Sequence, residues 1–238
     1  MRESKLPPDY GASMKVSRIG VLTVWVVMLH MCGFANAAGE TFGIVAATLK
    51  GASPLAPIQD VGKEAYIPGA PLFGVEVKQL DGVNVLQVAR MRTCSIDNPG
   101  KVFTVGAPGV SFEVSGTSDM ENLRTFVGAR FASMDNVTSA KVKLTNGRSM
   151  YAPPQVLREN FGKAIRGAQC DAGSGKTRAI VRAYFHDVEL ELAGRNLTLK
   201  QASTLVSRGD PPPQVSSTGR VLLVLPRRLV AIQTDFFY

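Results

Sequence analysis

The segment VEVKQLDGVNVLQV, residues 75–88, decides the fold class of this chain. Val75, Val77 and Leu80 stand before Asp81-Gly82, and Val83, Val85 and Val88 stand after it. Apolar residues that alternate on both sides of Asp-Gly are a β-hairpin signal, because both central turn residues must take positive φ. A hairpin joins antiparallel strands. The same grammar recurs twice. Val142 and Leu144 precede Asn146-Gly147, while Val188, Leu190 and Leu192 precede Ala193-Gly194-Arg195-Asn196, with Leu197 and Leu199 beyond. Further strands are expected at Val102–Val105, Val110–Val114, Ala179–Phe185, Val221–Leu225 and Leu229–Ile232, and one near Phe42–Leu49.

Two helices interrupt this series. Ser118-Asp119-Met120-Glu121 fits a capping box, in which serine and glutamate satisfy each other's backbone donors. Met120, Leu123, Val127 and Phe131 then fall on one helical face. A second helix is expected from Pro153-Pro154 to Arg166, with Val156, Leu157, Phe161, Ala164 and Ile165 as its apolar stripe and Gly167 as its stop. Strands outnumber helices and are linked as hairpins. The expected fold class is therefore α+β, with a mainly antiparallel sheet and about two helices. Gly209 to Gly219, with three consecutive prolines, reads as a loop, since proline cannot donate to a β-ladder.

The first residues read as an address. Lys15 and Arg18 precede the uncharged apolar run Ile19–Leu29, and Ala35-Asn36-Ala37 supplies the small-x-small pattern of an export signal cut at Ala37/Ala38. Met14 suits such a signal better as an initiator than Met1. The expected organisation is a signal peptide over residues 1–37 and one exported domain over residues 38–238, placed in the periplasm or secreted. The competing expectation is an inner-membrane anchor formed by residues 19–38, whose 20 uncharged residues are long enough to span. Export leaves Cys94 and Cys170 in an oxidising compartment, so a disulfide between them is expected. It would close a loop of about 77 residues and contribute roughly 4 kcal/mol by loop entropy.

Charge is unevenly spread. Residues 38–135 carry 8 basic and 10 acidic side chains, and residues 136–238 carry 15 basic and 7 acidic. The densest basic stretch holds Lys141, Lys143, Arg148, Arg158, Lys163, Arg166, Lys176, Arg178 and Arg182. Converging on one face, these residues would form an anion-binding patch for an anionic polymer, a membrane surface or an envelope protein. Nucleic acid is not the expected partner, because no recognition motif is present and aromatics are not interleaved with the basic run.

No catalytic set stands out. Gly173-Ser174-Gly175-Lys176-Thr177 lacks the first glycine of a phosphate loop, whose place Cys170 takes. His186 is the single histidine after residue 37, so no histidine metal cluster is expected. His186 and Asp187 are adjacent on a strand and point to opposite faces. Asp187, Glu189 and Glu191 alternate with Val188, Leu190 and Leu192, which puts three carboxylates on one side. They could serve as acid and base or pair with cations such as Arg178 and Arg182. No cofactor and no catalytic residue is expected. Together these features point to a non-enzymatic binding or assembly module of the cell envelope or of a secretion apparatus, with its basic C-terminal half toward an anionic partner. A carboxylate-dependent hydrolase and a structural subunit that lends its last strand to a partner sheet are the alternatives.

Overall fold

Three long strands carry the structure, a computed structural model that describes residues 41–60, 66–73, 76–87, 92–93, 101–132, 135–159 and 177–237. In chain order the elements are α1 (Thr41–Thr48), β1 (Ser53–Asp60), β2 (Pro71–Phe73), β3 (Glu76–Leu80), β4 (Val83–Gln87), β5 (Arg92–Thr93), β6 (Phe103–Gly106), β7 (Val110–Ser115), α2 (Thr117–Val127), α3 (Ala129–Ala132), β8 (Val137–Tyr151), β9 (Thr177–Gly194), α4 (Leu199–Ala202), β10 (Gln214–Val215) and β11 (Val221–Phe237). Residues 154–159 are also helical. The described residues fall in one compact unit, Ala38–Tyr238. The fold is α+β and the sheet is mainly antiparallel, the parallel pairing of β1 with β4 being an exception.

β9 lies between β8 and β11, antiparallel to both. β1 adds to the far side of β11, and the β3–β4 hairpin adds to β1. On the other flank, β7 and β6 follow one another along β8, and β2 takes over beside β9 where β8 ends. The sheet has a core on each face. On one side, Phe42, Val45 and Leu49 from the α1 region and Met120, Leu123 and Phe126 of α2 pack on Val142, Leu144, Val188, Leu190 and Leu223. Phe42 and Phe126 meet edge to face at 5.9 Å. A second cluster gathers Leu55, Leu72, Leu86, Ile180, Ala183, Leu229 and Ile232. Each fully buried leucine or isoleucine side chain contributes on the order of 1.5–3 kcal/mol.

Asp81-Gly82 makes the expected hairpin, with φ of 51° and 72°. Five expectations need correction. Asn146-Gly147 is not a turn but a bulge inside the continuous strand β8, where three steps along β8 (Thr145 to Arg148) oppose two along β9 (Asp187 to Phe185). Phe42–Leu49 is helical rather than extended, and its buried Phe42, Val45 and Leu49 have helical spacing. Val221–Leu225 and Leu229–Ile232 are one strand, which runs through Pro226. Leu197 and Leu199 do not start a return strand: Thr198 caps α4 instead, in a capping box with Gln201. The capping box expected at Ser118–Glu121 is absent as well, since α2 starts at Thr117 behind Gly116 without a side-chain cap. The helix expected over residues 153–166 is described only through residue 159. Both cysteines of the expected bridge, Cys94 and Cys170, lie outside the described residues, and there is no disulfide among the described residues. The expected signal or anchor and most of the Gly173–Thr177 turn also lie outside them.

Candidate functional site

Strand alternation sorts the charged side chains by face. Asp187, Glu189 and Glu191 project from one face of β9 while Val188, Leu190 and Leu192 are buried on the other. Across the strands, Lys143 stands opposite Glu189, and Lys141 stands opposite Glu191 on one side and Glu113 on the other. Lys143 Nζ donates to Glu191 Oε1 at 3.0 Å. That hydrogen bond is the main cause holding the Glu191 carboxyl below its usual range, and it holds the Lys143 ammonium above its own. Thr145 Oγ1 donates to Glu189 Oε1 at 3.1 Å. The expected carboxylate face therefore exists, but its partners are Lys143, Thr145 and their neighbours rather than Arg178 or Arg182.

Asp187 has a different task. Its Oδ1 accepts the Arg227 backbone N–H at 2.8 Å, and its Oδ2 accepts Asn146 Nδ2 at 2.7 Å. Asn146 and Arg227 both hold positive φ, at 50° and 52°. They are the bulges of β8 and β11, one on each side of Asp187. The break between β6 and β7 at Ala107-Pro108-Gly109 falls on the same line. An irregularity thus crosses the sheet from β6/β7 to β11. His186 sits on it at 1% exposure, with Nε2 donating to the Pro108 carbonyl at 3.0 Å. Nδ1 has no hydrogen-bond partner. Burial is the main cause that pushes the imidazole below its usual range, so it is neutral at pH 7. Gly147 is required here, because a Cβ would lie 2.4 Å from His186 Nε2 and 2.5 Å from the Ala107 carbonyl oxygen. Beside His186 in register, buried Arg228 pairs with Asp210 at 2.6 Å and with Asp60 at 2.5 Å. This ties the proline loop to the sheet.

Beyond the irregular line, on the face of β9 opposite its carboxylates, a row runs across three strands. Phe103, Tyr151 and Arg182 are direct register partners on β6, β8 and β9. The two rings stack at 5.5 Å with 23° between their planes. Lys101 Nζ lies 5.1 Å from the Phe103 ring centre, and the Arg182 guanidinium lies 4.8 Å from that of Tyr151. Val105, two residues along β6 from Phe103, is 44% exposed. Cations bound two stacked aromatics on a partly open sheet face, the geometry of cation–π attraction.

The nine expected basic residues do not share one surface. Lys141 and Lys143 lie on the carboxylate face and Arg182 on the opposite face of the sheet. Arg148 is exposed beside the β8 bulge, Arg158 is exposed on the helical residues 154–159, and Arg178 is near the start of β9. Lys163, Arg166 and Lys176 lie outside the described residues. Sequence reading missed Lys101, Phe103 and Tyr151 because only the register of β6, β8 and β9 brings them to Arg182. Among the described residues, no cluster of His, Cys, Asp and Glu could hold a metal ion, and no helix is long and apolar enough to cross a membrane.

No family model matches the chain, and no curated protein matches it in sequence. Among solved structures, a bacterial gasdermin from Bradyrhizobium tropiciagri is similar at 11% identity and a TM-score of 0.48, over 85% of this chain and 88% of that one. This is a distant likeness of fold, and no activity is carried over from it.

Proposed function

We propose that this chain is an exported, non-enzymatic binding or assembly module of the cell envelope or of a secretion apparatus, and that basic residues of its second half meet an anionic partner. The observation that carries this reading is the row Lys101–Phe103–Tyr151–Arg182, which sets two cations, Arg182 from the basic second half and Lys101 from before it, against stacked rings on a sheet face. Guanidinium over an aromatic ring is ordered before a partner arrives, so less side-chain entropy is lost on binding. The signal-like residues 14–38 and the basic excess after residue 135 support the same reading.

The hydrolase alternative draws less support. Its carboxylates are committed to the sheet: Asp187 to Arg227 and Asn146, Glu189 to Thr145, Glu191 to Lys143. The strand-lending alternative meets a topological obstacle, since Leu229 and Ile232 lie in a segment flanked by β9 and β1, and Val221 and Leu222 pair with both β9 and β10.

Two measurements test the proposal. Expressed with its full leader in a Gram-negative host, the chain should be recovered outside the cytoplasm, beginning near Ala38, and should be held on an anionic matrix at low salt and released as salt rises. Full-length protein confined to the cytosol, or passage through the matrix without delay, would refute it.

A further inference from the structure

Resting on that reading, we propose that the Lys101–Phe103–Tyr151–Arg182 row is the docking site for an extended acidic segment of a partner polypeptide. The segment carries two carboxylates four residues apart with an apolar residue midway between them. The spacing comes from the sheet. The row crosses from β6 to β9 through direct register partners, and its members follow each other at 5.1, 5.5 and 4.8 Å. Adjacent strands lie roughly 4.8 Å apart, so two strand steps carry the row about 10 Å from Phe103 to Arg182, and Lys101 against the Phe103 ring extends the separation of the cations to at most about 15 Å. In an extended chain, residues i, i+2 and i+4 share a face, and the outer two lie roughly 13 Å apart. Carboxylates at i and i+4 therefore reach Lys101 and Arg182 together.

The middle of the row fixes the middle residue. Phe103 and Tyr151 cover one face of each other's ring, and the cations lie against the rings as well. What the pair offers a ligand is its ring edges, with the exposed Val105 two residues along β6. An apolar side chain at i+2 settles there and removes this surface from water. A polymer charged at every unit sets a charge over that apolar stretch and bears a desolvation cost. An alternating acidic–apolar peptide is for that reason preferred over a plain polyanion or a headgroup layer.

The test uses the full chain and a nine-residue capped peptide, Ser-Ser-Glu-Ser-Leu-Ser-Glu-Ser-Ser. The controls are a peptide of the same composition with its two glutamates adjacent, inorganic polyphosphate, and vesicles of phosphatidylcholine with phosphatidylglycerol. The spaced peptide should bind at least fivefold more tightly than the scrambled one and shift the Phe103 and Tyr151 ring resonances. Arg182→Gln and Lys101→Gln should each weaken it about three- to tenfold, with unchanged circular dichroism showing that the variants fold. Equal binding of the two peptides, or indifference to both substitutions, overturns the inference. So does binding to polyphosphate or vesicles alone. If those failures occur while the chain is still retained on an anionic matrix, the peptide inference falls and the broader proposal stands; loss of retention itself removes both.

Discussion

The Asp187 carboxylate accepts the backbone N–H of Arg227 at 2.8 Å, and Arg227 is one of two residues with positive φ that flank it. The other, Asn146, donates its side-chain amide to the second carboxylate oxygen. A single side chain on β9 thus fastens the bulges of both neighbouring strands. This gives a structural reason for an acidic residue in the middle of a long sheet.

Removing the fastening should cost stability. Asp187→Ala loses two hydrogen bonds to a charged acceptor and is expected to destabilise the chain by roughly 2 kcal/mol. Asn146→Gly gives up one of these bonds but relieves a left-handed residue, a gain of about 1 kcal/mol or more, and should stay close to the wild type. Denaturant unfolding reads both. An Asp187→Ala variant within a few tenths of a kcal/mol of wild type would show that the bulges hold themselves.

Gly147 tolerates no side chain. A Cβ there meets both His186 Nε2 and the Ala107 carbonyl oxygen well inside contact distance. Gly147→Ala should destabilise by about 3 kcal/mol, at the upper end for overpacking, and should lower the soluble yield. An alanine variant with an unchanged unfolding midpoint would mean that Pro108 and its loop move aside freely.

His186 gives the stability curve a definite sign. Burial lowers its folded pKa below the 6.5 of the unfolded chain. Between those two values the unfolded state binds more protons, so stability rises with pH. The stabilisation is complete above the unfolded value, falls as pH drops below about 6.5, and stops falling beneath the folded value. Unfolding midpoints at pH 8 and pH 5.5 should therefore differ more for wild type than for His186→Gln. Parallel profiles would show that the imidazole gains a proton without opening its site.

The buried pair of Arg228 and Asp210 predicts a non-additive result. Their side chains are 6% and 5% exposed and meet through both carboxylate oxygens. Arg228→Met leaves Asp210 without its cation and should cost about 3–5 kcal/mol. Adding Asp210→Leu should recover a large part of that loss. A double variant as unstable as the sum of both singles would argue that the pair acts independently.

Local chemistry made part of this fold legible. Asp81-Gly82 named its hairpin because both residues could take positive φ and the runs on either side alternated. The same dipeptide logic misread Asn146-Gly147, since a bulge also needs a left-handed residue and an unobstructed glycine. Only the partner strands show that the chain continues straight on. Thr41–Thr48 is short and apolar, and such a run does not distinguish a buried strand from a helix until its packing is known. The basic run was visible, but its division between two faces depends on strand parity and on the β8 bulge. The row of Lys101, Phe103, Tyr151 and Arg182 is hidden for a similar reason: its ends are far apart in sequence, and the register of three strands brings Phe103, beside Lys101, into line with Arg182.

The decisive measurement is binding of the labelled peptide Ser-Ser-Glu-Ser-Leu-Ser-Glu-Ser-Ser to the purified full chain across a salt series, beside the double variant Lys101→Gln/Arg182→Gln. Affinity should weaken steadily as salt rises, and the variant should bind at least tenfold more weakly with a flatter salt dependence. Identical isotherms for the two proteins at every salt concentration would contradict this.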